Sequence, residues 1–353
     1  MKEYGVAEPV ADSAVKDLPA LSKIPAFPPI VLRVFDLLAT DEVEIRELVE
    51  LITSDPAFSA QILRLANSPL FGFHSRIESL QHALVILGLR RVRSLAMTVA
   101  TANYMHAALK IQELYRCWRH TLACALLTEE LARICGLPED IAYTAGLLHD
   151  LGRLGLLVAH PSEYAKLLQQ AEHNEAELLD LEKNLFGADH CEVGRVLAEQ
   201  WNLPEEIRIV AGRHHDPPGG PAEDLVGLTY LGCQLASSLG LWVTQPLRPL
   251  SLEEIQAMLP EKARDRLSTD AAHLRDAVER RIRSHEHVGL ASTPAVAETS
   301  SEPEPDQEAE PSQGSPSAPP PARSFLRDLS VVVLTGLIFS AVFMLTYYLV
   351  SRQ

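Results

Sequence analysis

Positive charge is in short supply in this sequence: 31 lysines and arginines stand against 47 aspartates and glutamates, a formal net charge of −16. A sequence-independent grip on nucleic-acid phosphates needs a surplus of cations, so DNA and RNA are not expected partners. Cysteine is scarce and unpaired. The five, Cys117, Cys124, Cys135, Cys191 and Cys233, form no C-x-x-C motif and mostly occupy apolar positions, which argues against a disulfide framework and for thiols kept reduced in a cytosol. The opening stretch, MKEYGVAEPVADSA, lacks the apolar region of a secretory signal peptide. Glycine-rich phosphate loops, G-x-S-x-G elbows and cysteine–histidine nucleophile signatures are missing as well.

What is present is helical. With 47% hydrophobic residues the chain can fill a real core. From Leu18 to about His287 the apolar residues recur at three- and four-residue spacing, as at Ile45, Leu48, Val49 and Ile52, and no stretch reads convincingly as a strand. Breaks at Asp55-Pro56, Ser68-Pro69, Gly136-Leu137-Pro138, His160-Pro161, Leu203-Pro204 and Asp216-Pro217-Pro218 cut this region into about a dozen helices. The expected fold is all-α, with 241–287 as a helical extension whose charged helix, Glu261 to His285, reads as a solvated one. Residues 288–326 are rich in Pro, Glu and Ser and cannot bury enough surface to offset their ordering entropy, so a disordered linker is expected there. The uncharged run LSVVVLTGLIFSAVFMLTYYLV, Leu329 to Val350, has the length of a bilayer-spanning helix, flanked by Arg323, Arg327, Arg352 and the interfacial pair Tyr347 and Tyr348. A C-terminal anchor in the inner (cytoplasmic) membrane, with the N-terminal mass facing the cytoplasm, is the expected localisation.

The chemistry concentrates in histidines. AGLLHDLGRLGLL places His149 and Asp150 side by side in one expected helix, where neighbours diverge by about 100° and a metal could take both only from the helix flank. His120 shares a stripe with Cys124, Leu127, Leu131 and Ile134. His190 opens a helix whose Asp189 and Glu192 have capping-box spacing and whose inward face runs His190, Val193, Gly194, Leu197 and Trp201. His214 and His215 close the next helix. Each alone reads as a core histidine or a favourable helix terminus. Together with Asp150 they make a ligand set for a divalent metal such as Fe, Mn, Zn or Ni. Elsewhere, Arg90, Arg91 and Arg93 form a basic cluster, an ordinary solvated face or a small anionic ligand site, and Phe71 and Phe73 read as core packing.

The order of H, HD, H-x-x-x-G and HH resembles the HD/HD-GYP phosphohydrolase superfamily. The closer resemblance is to its signalling relative, the HDOD family, over 18–240. LPALSKIPAFPPIVLRVFDLL, ITSDPAFSAQILRLANSPLFGF and SLQHALVILGLRRVRSLAM resemble that family's N-terminal helical bundle. CWRHTLACALL, AGLLHDLGRLGLL, GADHCEVGRVLAEQWNLPEEI and RHHDPP resemble its HD-like half. The resemblance implies a multi-helix domain and a metal centre at His120, His149, Asp150, His190, His214 and His215 that is vestigial. Three departures from the catalytic pattern support that reading. The lysine that follows the HD pair is replaced by Arg153, DPPGGPAED stands where G-Y-P would, and the closing aspartate is absent from DLVGLTYLGCQLASSLG, where Cys233 or Gly232 is nearest. A permanently charged arginine cannot donate a proton as lysine does. A membrane-tethered, non-catalytic bacterial output module that binds signalling proteins or a small anionic ligand is therefore expected. The alternatives are a metal-dependent phosphohydrolase acting on a nucleotide or cyclic dinucleotide, and a structural tether with core histidines.

Overall fold

The computed structural model describes residues 45–289 except 69–70, 72–75, 172–174 and 247, preceded by 15, 18–27, 29–30 and 32–33. Fourteen α-helices are described, with no strand among the described residues. The helices α1 (Ile45–Thr53), α2 (Pro56–Ala66) and α3 (Leu80–Met105) come first. Next are α4 (Gln112–Cys135), α5 (Glu139–Leu148), α6 (Leu151–Ala159), α7 (Pro161–Gln170), α8 (Glu175–Phe186) and α9 (His190–Gln200). The last five are α10 (Glu205–Arg213), α11 (Leu225–Ser238), α12 (Leu252–Ala257), α13 (Glu261–Arg264) and α14 (Ala271–Gly289). Among the described residues no helix is long and apolar enough to cross a membrane. The expected spanning segment 329–350, the linker beyond Gly289 and Phe73 lie outside the described residues.

Proline and local capping set most of the boundaries. Asp55 accepts from the Ala57 and Phe58 amides at 2.9 and 3.0 Å, with Pro56 opening α2 where its missing N–H costs nothing. Between α4 and α5, Gly136 takes the left-handed conformation (φ 77°), and the Leu137 amide reaches back to the Ala132 carbonyl at 2.8 Å. A residue with a Cβ would be strained in that cap.

Helix α4 is the axis. Every residue from Thr121 to Glu129 is buried, as a helix apolar nearly all round must be. Helices α5 and α11 pack along it, α9 packs on α6 and α10, and α2 on α3. Helix α14 closes the other side against α2, α3 and α4. It is not the solvated extension its charge suggests: the expected single helix is broken at Asp265–Asp270, Val278, Ile282 and His285 are buried, and its charges are used in docking. Arg281 reaches Glu129 on α4 at 2.6 Å, and Arg91 on α3 reaches the same carboxylate at 2.8 Å. Arg119 on α4 bonds Glu279 on α14 at 2.6 Å.

Candidate metal centre

The HD pair lies at a corner instead of inside one helix, which corrects the sequence expectation. Helix α5 ends at Leu148, Asp150 leaves helical geometry (φ −90°, ψ 23°), and α6 begins at Leu151. No proline or glycine marks the break; the packing behind it does. A Cβ on Gly152 would stand 2.0 Å from the His190 carbonyl oxygen and 2.4 Å from the Gly194 amide nitrogen, so α9 can cross α6 this closely only over glycine. The crossing delivers His190 to Asp150. Asp150 occupies the N-cap position of α6 but makes no capping bond, unusual for a residue favoured there for its capping bond. Its carboxylate instead turns inward, where the His149, His190 and His214 Nε2 atoms each lie 3.4 Å from one of its oxygens.

The rings approach in series. Centroids of His120 and His149 are 5.5 Å apart, of His149 and His214 4.9 Å, of His214 and His215 4.3 Å, and of His190 and His215 5.1 Å. Three imidazoles are set by backbone carbonyls: Nδ1 of His120 faces Leu241 O at 2.8 Å, of His149 Gly146 O at 2.7 Å, and of His214 Val210 O at 3.3 Å. A carbonyl only accepts, so each Nδ1 carries a proton, and Nε2 is the nitrogen each ring can offer to a metal when it is neutral. His190 is fixed by a carboxylate instead, its Nδ1 donating to Glu182 at 2.6 Å while its backbone amide donates to the same oxygen at 2.8 Å. The Asp189–Glu192 capping box holds the start of α9 in both directions, at 2.9 and 3.0 Å.

Arg153 is the cation of this interior. Although charged, it is 1% exposed, with Nη1 3.2 Å from Asp150 and Nη2 donating to His190 Nε2 at 3.1 Å. Burial works to raise the Asp150 carboxyl, but Arg153 and the facing His149 outweigh it and hold it well below the usual carboxylate range. Burial likewise works against a charged His149, and the neighbouring Cys233 and Asp150 overcome it, raising that histidine well above its ordinary value. His214 goes the other way, lowered by burial despite Asp150. For Cys233, the hydrogen bond from Cys124 outweighs burial and, with His149, draws the thiol well below its ordinary value.

A metal fits the donors present. His149 Nε2, His214 Nε2 and both Asp150 oxygens are buried without a hydrogen-bond partner, an arrangement that costs free energy unless something else satisfies them. Three donor groups have ligand atoms within 4.8 Å of one another: His149, Asp150 and His214; His190, Cys191, His214 and His215; and His120, Cys124, His149 and Cys233. All six residues singled out as ligands in the sequence therefore come together. Of Arg90, Arg91, Arg93 and Arg153, the arginines that could meet a ligand or partner, only Arg153 joins them. Arg91 is tied to Glu129, and with Arg90 it lines a cavity of about 420 Å³ that also contains Glu129, Glu139 and Asp140, carboxylates that oppose an anionic ligand. Burial lowers the Arg93 guanidinium against the pull of Asp140.

Sequence reasoning missed Glu182 and Tyr164. Glu182 is fully buried, held by the Tyr164 hydroxyl as well as by His190. A signal existed: Leu178, Glu182 and Phe186 follow at i, i+4 and i+8, which puts a carboxylate on the apolar stripe of α8. Trp201, expected on the inward face of α9, caps the helix partly buried against the core, stacked on Phe27 at 4.9 Å.

The fold is shared with known proteins. A candidate signal transduction protein from Marinobacter aquaeolei VT8 matches with a TM-score of 0.61 at 20% identity, over 79% of this chain and 67% of that one. A candidate metal-dependent phosphohydrolase from Shewanella amazonensis SB2B matches with a TM-score of 0.51 at 22% identity, over 77% of this chain and 95% of that one. At these identities the likeness is one of fold. An uncharacterized protein of Treponema pallidum (strain Nichols) is 30% identical over 207 residues, 58% of this chain and 40% of that protein, so the chain spans less than half the length of this curated relative. The HDOD domain matches residues 24–217, more than half of the chain, across both the N-terminal helices and the histidine-bearing ones. This chain belongs to the HDOD family.

Proposed function

We propose that this protein is a signalling output module, tethered to the inner membrane by its C-terminal segment, in which an HD-type metal pocket organises the domain without hydrolysing a substrate. One observation carries the reading: His149, Asp150, Arg153 and His214 are each 1% exposed. A hydrolase must bring a phosphate ester and a water to its metal, and a metal held by these side chains would be sealed from both. Arg153 adds to this. Its guanidinium already supplies the positive charge beside Asp150 and donates to His190, the place a second divalent ion of a two-metal hydrolase would need.

When bound, a divalent ion such as Zn, Fe, Mn or Ni would supply charge and coordination to lone pairs of the pocket, that of His149 Nε2 among them. The chain's own contribution is to fix the imidazole tautomers through Leu241, Gly146 and Val210 and to hold His190 against Glu182. Output then passes through the surface, to a signalling protein or a small ligand. The fold likeness to the candidate signal transduction protein agrees with this reading. The anchor rests on the apolar run 329–350.

The full chain, expressed in a bacterial host, tests both parts. It is expected in the membrane pellet after alkaline carbonate extraction, and release into the supernatant would overturn the anchor. Solubilised in detergent and loaded with metal, it is expected to show no turnover of cyclic dinucleotides or a generic phosphodiester. Turnover that disappears in Asp150→Asn would establish the hydrolase instead.

A further inference from the structure

His149 belongs to two of the donor groups through the one nitrogen it has left, Nε2, so a single ion must choose between them. We infer that the ion is a thiophilic one of the zinc class, held in a closed four-coordinate site by His120, Cys124, His149 and Cys233. The inference rests on the reading that this pocket holds a metal, and it names the ligands.

The geometry is assembled by three segments packed in the core. His120 and Cys124 are four residues apart on α4 and so share a face; His149 comes from the α5–α6 corner and Cys233 from α11, which packs along α4. The two sulfurs are 3.6 Å apart and His120 Nε2 is 3.4 Å from the Cys124 sulfur. All four ligand atoms lie within 4.8 Å of one another, and all four residues are buried. Tetrahedral zinc, with Zn–S bonds of about 2.3 Å and Zn–N bonds of about 2.0 Å, requires separations of this size between its ligand atoms. In both imidazoles a carbonyl holds Nδ1, which leaves Nε2 as the nitrogen to offer a metal, with no ring reorientation needed.

Charge decides against the competing group of His149, Asp150 and His214. There the carboxylate is already neutralised by Arg153 at 3.2 Å, and a divalent ion would leave most of its charge uncompensated in a sealed interior. Two thiolates and two neutral imidazoles cancel a 2+ ion completely. Binding releases to solvent whatever protons the two sulfurs and the two Nε2 atoms still carry, and transfers no electrons. Thiolate donors also favour zinc over manganese or magnesium. With four protein ligands no position stays open for water, which gives a structural reason for the proposed lack of turnover.

Cobalt substitution of the full chain, purified in detergent under reducing conditions, tests the ligand set without relying on activity. The expected result is about one cobalt per chain, with intense tetrahedral ligand-field bands and a thiolate-to-cobalt charge-transfer band. Cys233→Ala should weaken the charge-transfer band and lower cobalt affinity by about tenfold or more, while Asp150→Asn keeps both. Circular dichroism checks that each variant is folded; if Cys233→Ala is not, Cys233→Asp is read instead, expected to keep cobalt with the charge-transfer band roughly halved. Cobalt lost in Asp150→Asn and retained without a charge-transfer band in the wild type would overturn the thiolate site while leaving the non-hydrolytic reading intact. A chain that takes up no cobalt, or that carries a Cys124–Cys233 disulfide under these conditions, would overturn it too. Phosphodiester turnover together with a full charge-transfer band would sink the functional reading and leave the ligand assignment standing.

Discussion

Glu182 shows how much one side chain can be asked to hold. Its carboxylate takes the Tyr164 hydroxyl on one oxygen and both the His190 amide and the His190 imidazole on the other. Burial works to raise this carboxyl, and His190, Arg153 and Tyr164 together bring it below the ordinary glutamate value. Charge-assisted bonds of this kind are strong when complete and costly when one partner is removed. Glu182→Gln is therefore expected to destabilise the protein by about 2–4 kcal/mol, because the amide cannot accept both bonds with a full charge. Urea unfolding of the wild type and the variant checks this, and a difference within about 0.5 kcal/mol would mean that Glu182 only fills space.

At the scale of elements, the crossing of α6 and α9 sets the HD corner and brings His190 to Asp150. Gly152 and Gly194 allow the backbones to meet, and the meeting sets the distance between Asp150 and His190. Gly152→Ala would press a methyl group against the His190 carbonyl, and the contact is with backbone, which cannot swing aside. The expected outcome is a loss of about 3 kcal/mol or more in stability, with altered metal binding in whatever fraction folds. Ala introduced at Gly219, where a Cβ meets nothing within 4 Å, is the matched control and should stay within about 0.5 kcal/mol of wild type. The Asp189–Glu192 capping box acts in the same element but locally, fixing where α9 starts and not what it touches.

At the scale of the molecule, α14 ties the C-terminal end of the described domain to α3 and α4. His285 is buried there, its Nδ1 donating to the Arg281 carbonyl at 2.6 Å. Burial, against the pull of that bond and of Glu129, lowers its pKa to about 4. The folded state thus favours the neutral ring, whereas the unfolded chain takes up the proton near pH 6.5. The stabilisation is fully present above about pH 6.5 and is lost as the pH falls towards about 4. At pH 5 the loss reaches about 2 kcal/mol, at 1.36 kcal/mol per pH unit. Denaturation at pH 7 and pH 5 should show this slope in the wild type and not in His285→Gln; equal slopes in the two would remove His285 as its source.

Features whose cause is local were determined by the sequence itself. Asp55-Pro56, Gly136-Leu137-Pro138 and the Asp189–Glu192 box end or begin helices through bonds that span a few residues, and the structure places those boundaries where the residues put them. The helical periodicity of α4 and the inward placing of His120 and His190 were legible for the same reason, since one helical face follows from spacing alone. Only the tertiary structure decided the rest. The HD corner carries no breaker of its own and exists because α6 turns to cross α9 over Gly152. Arg91, read as part of a solvated face or an anionic ligand site, is partly exposed, but its carboxylate partner lies 38 positions away on another helix, and the same carboxylate meets Arg281 152 positions away. The pairing of Cys124 with Cys233 spans 109 positions. A charge or a thiol reveals in sequence what it can bind, but the group it meets is chosen by packing between distant segments, and no local pattern encodes that choice.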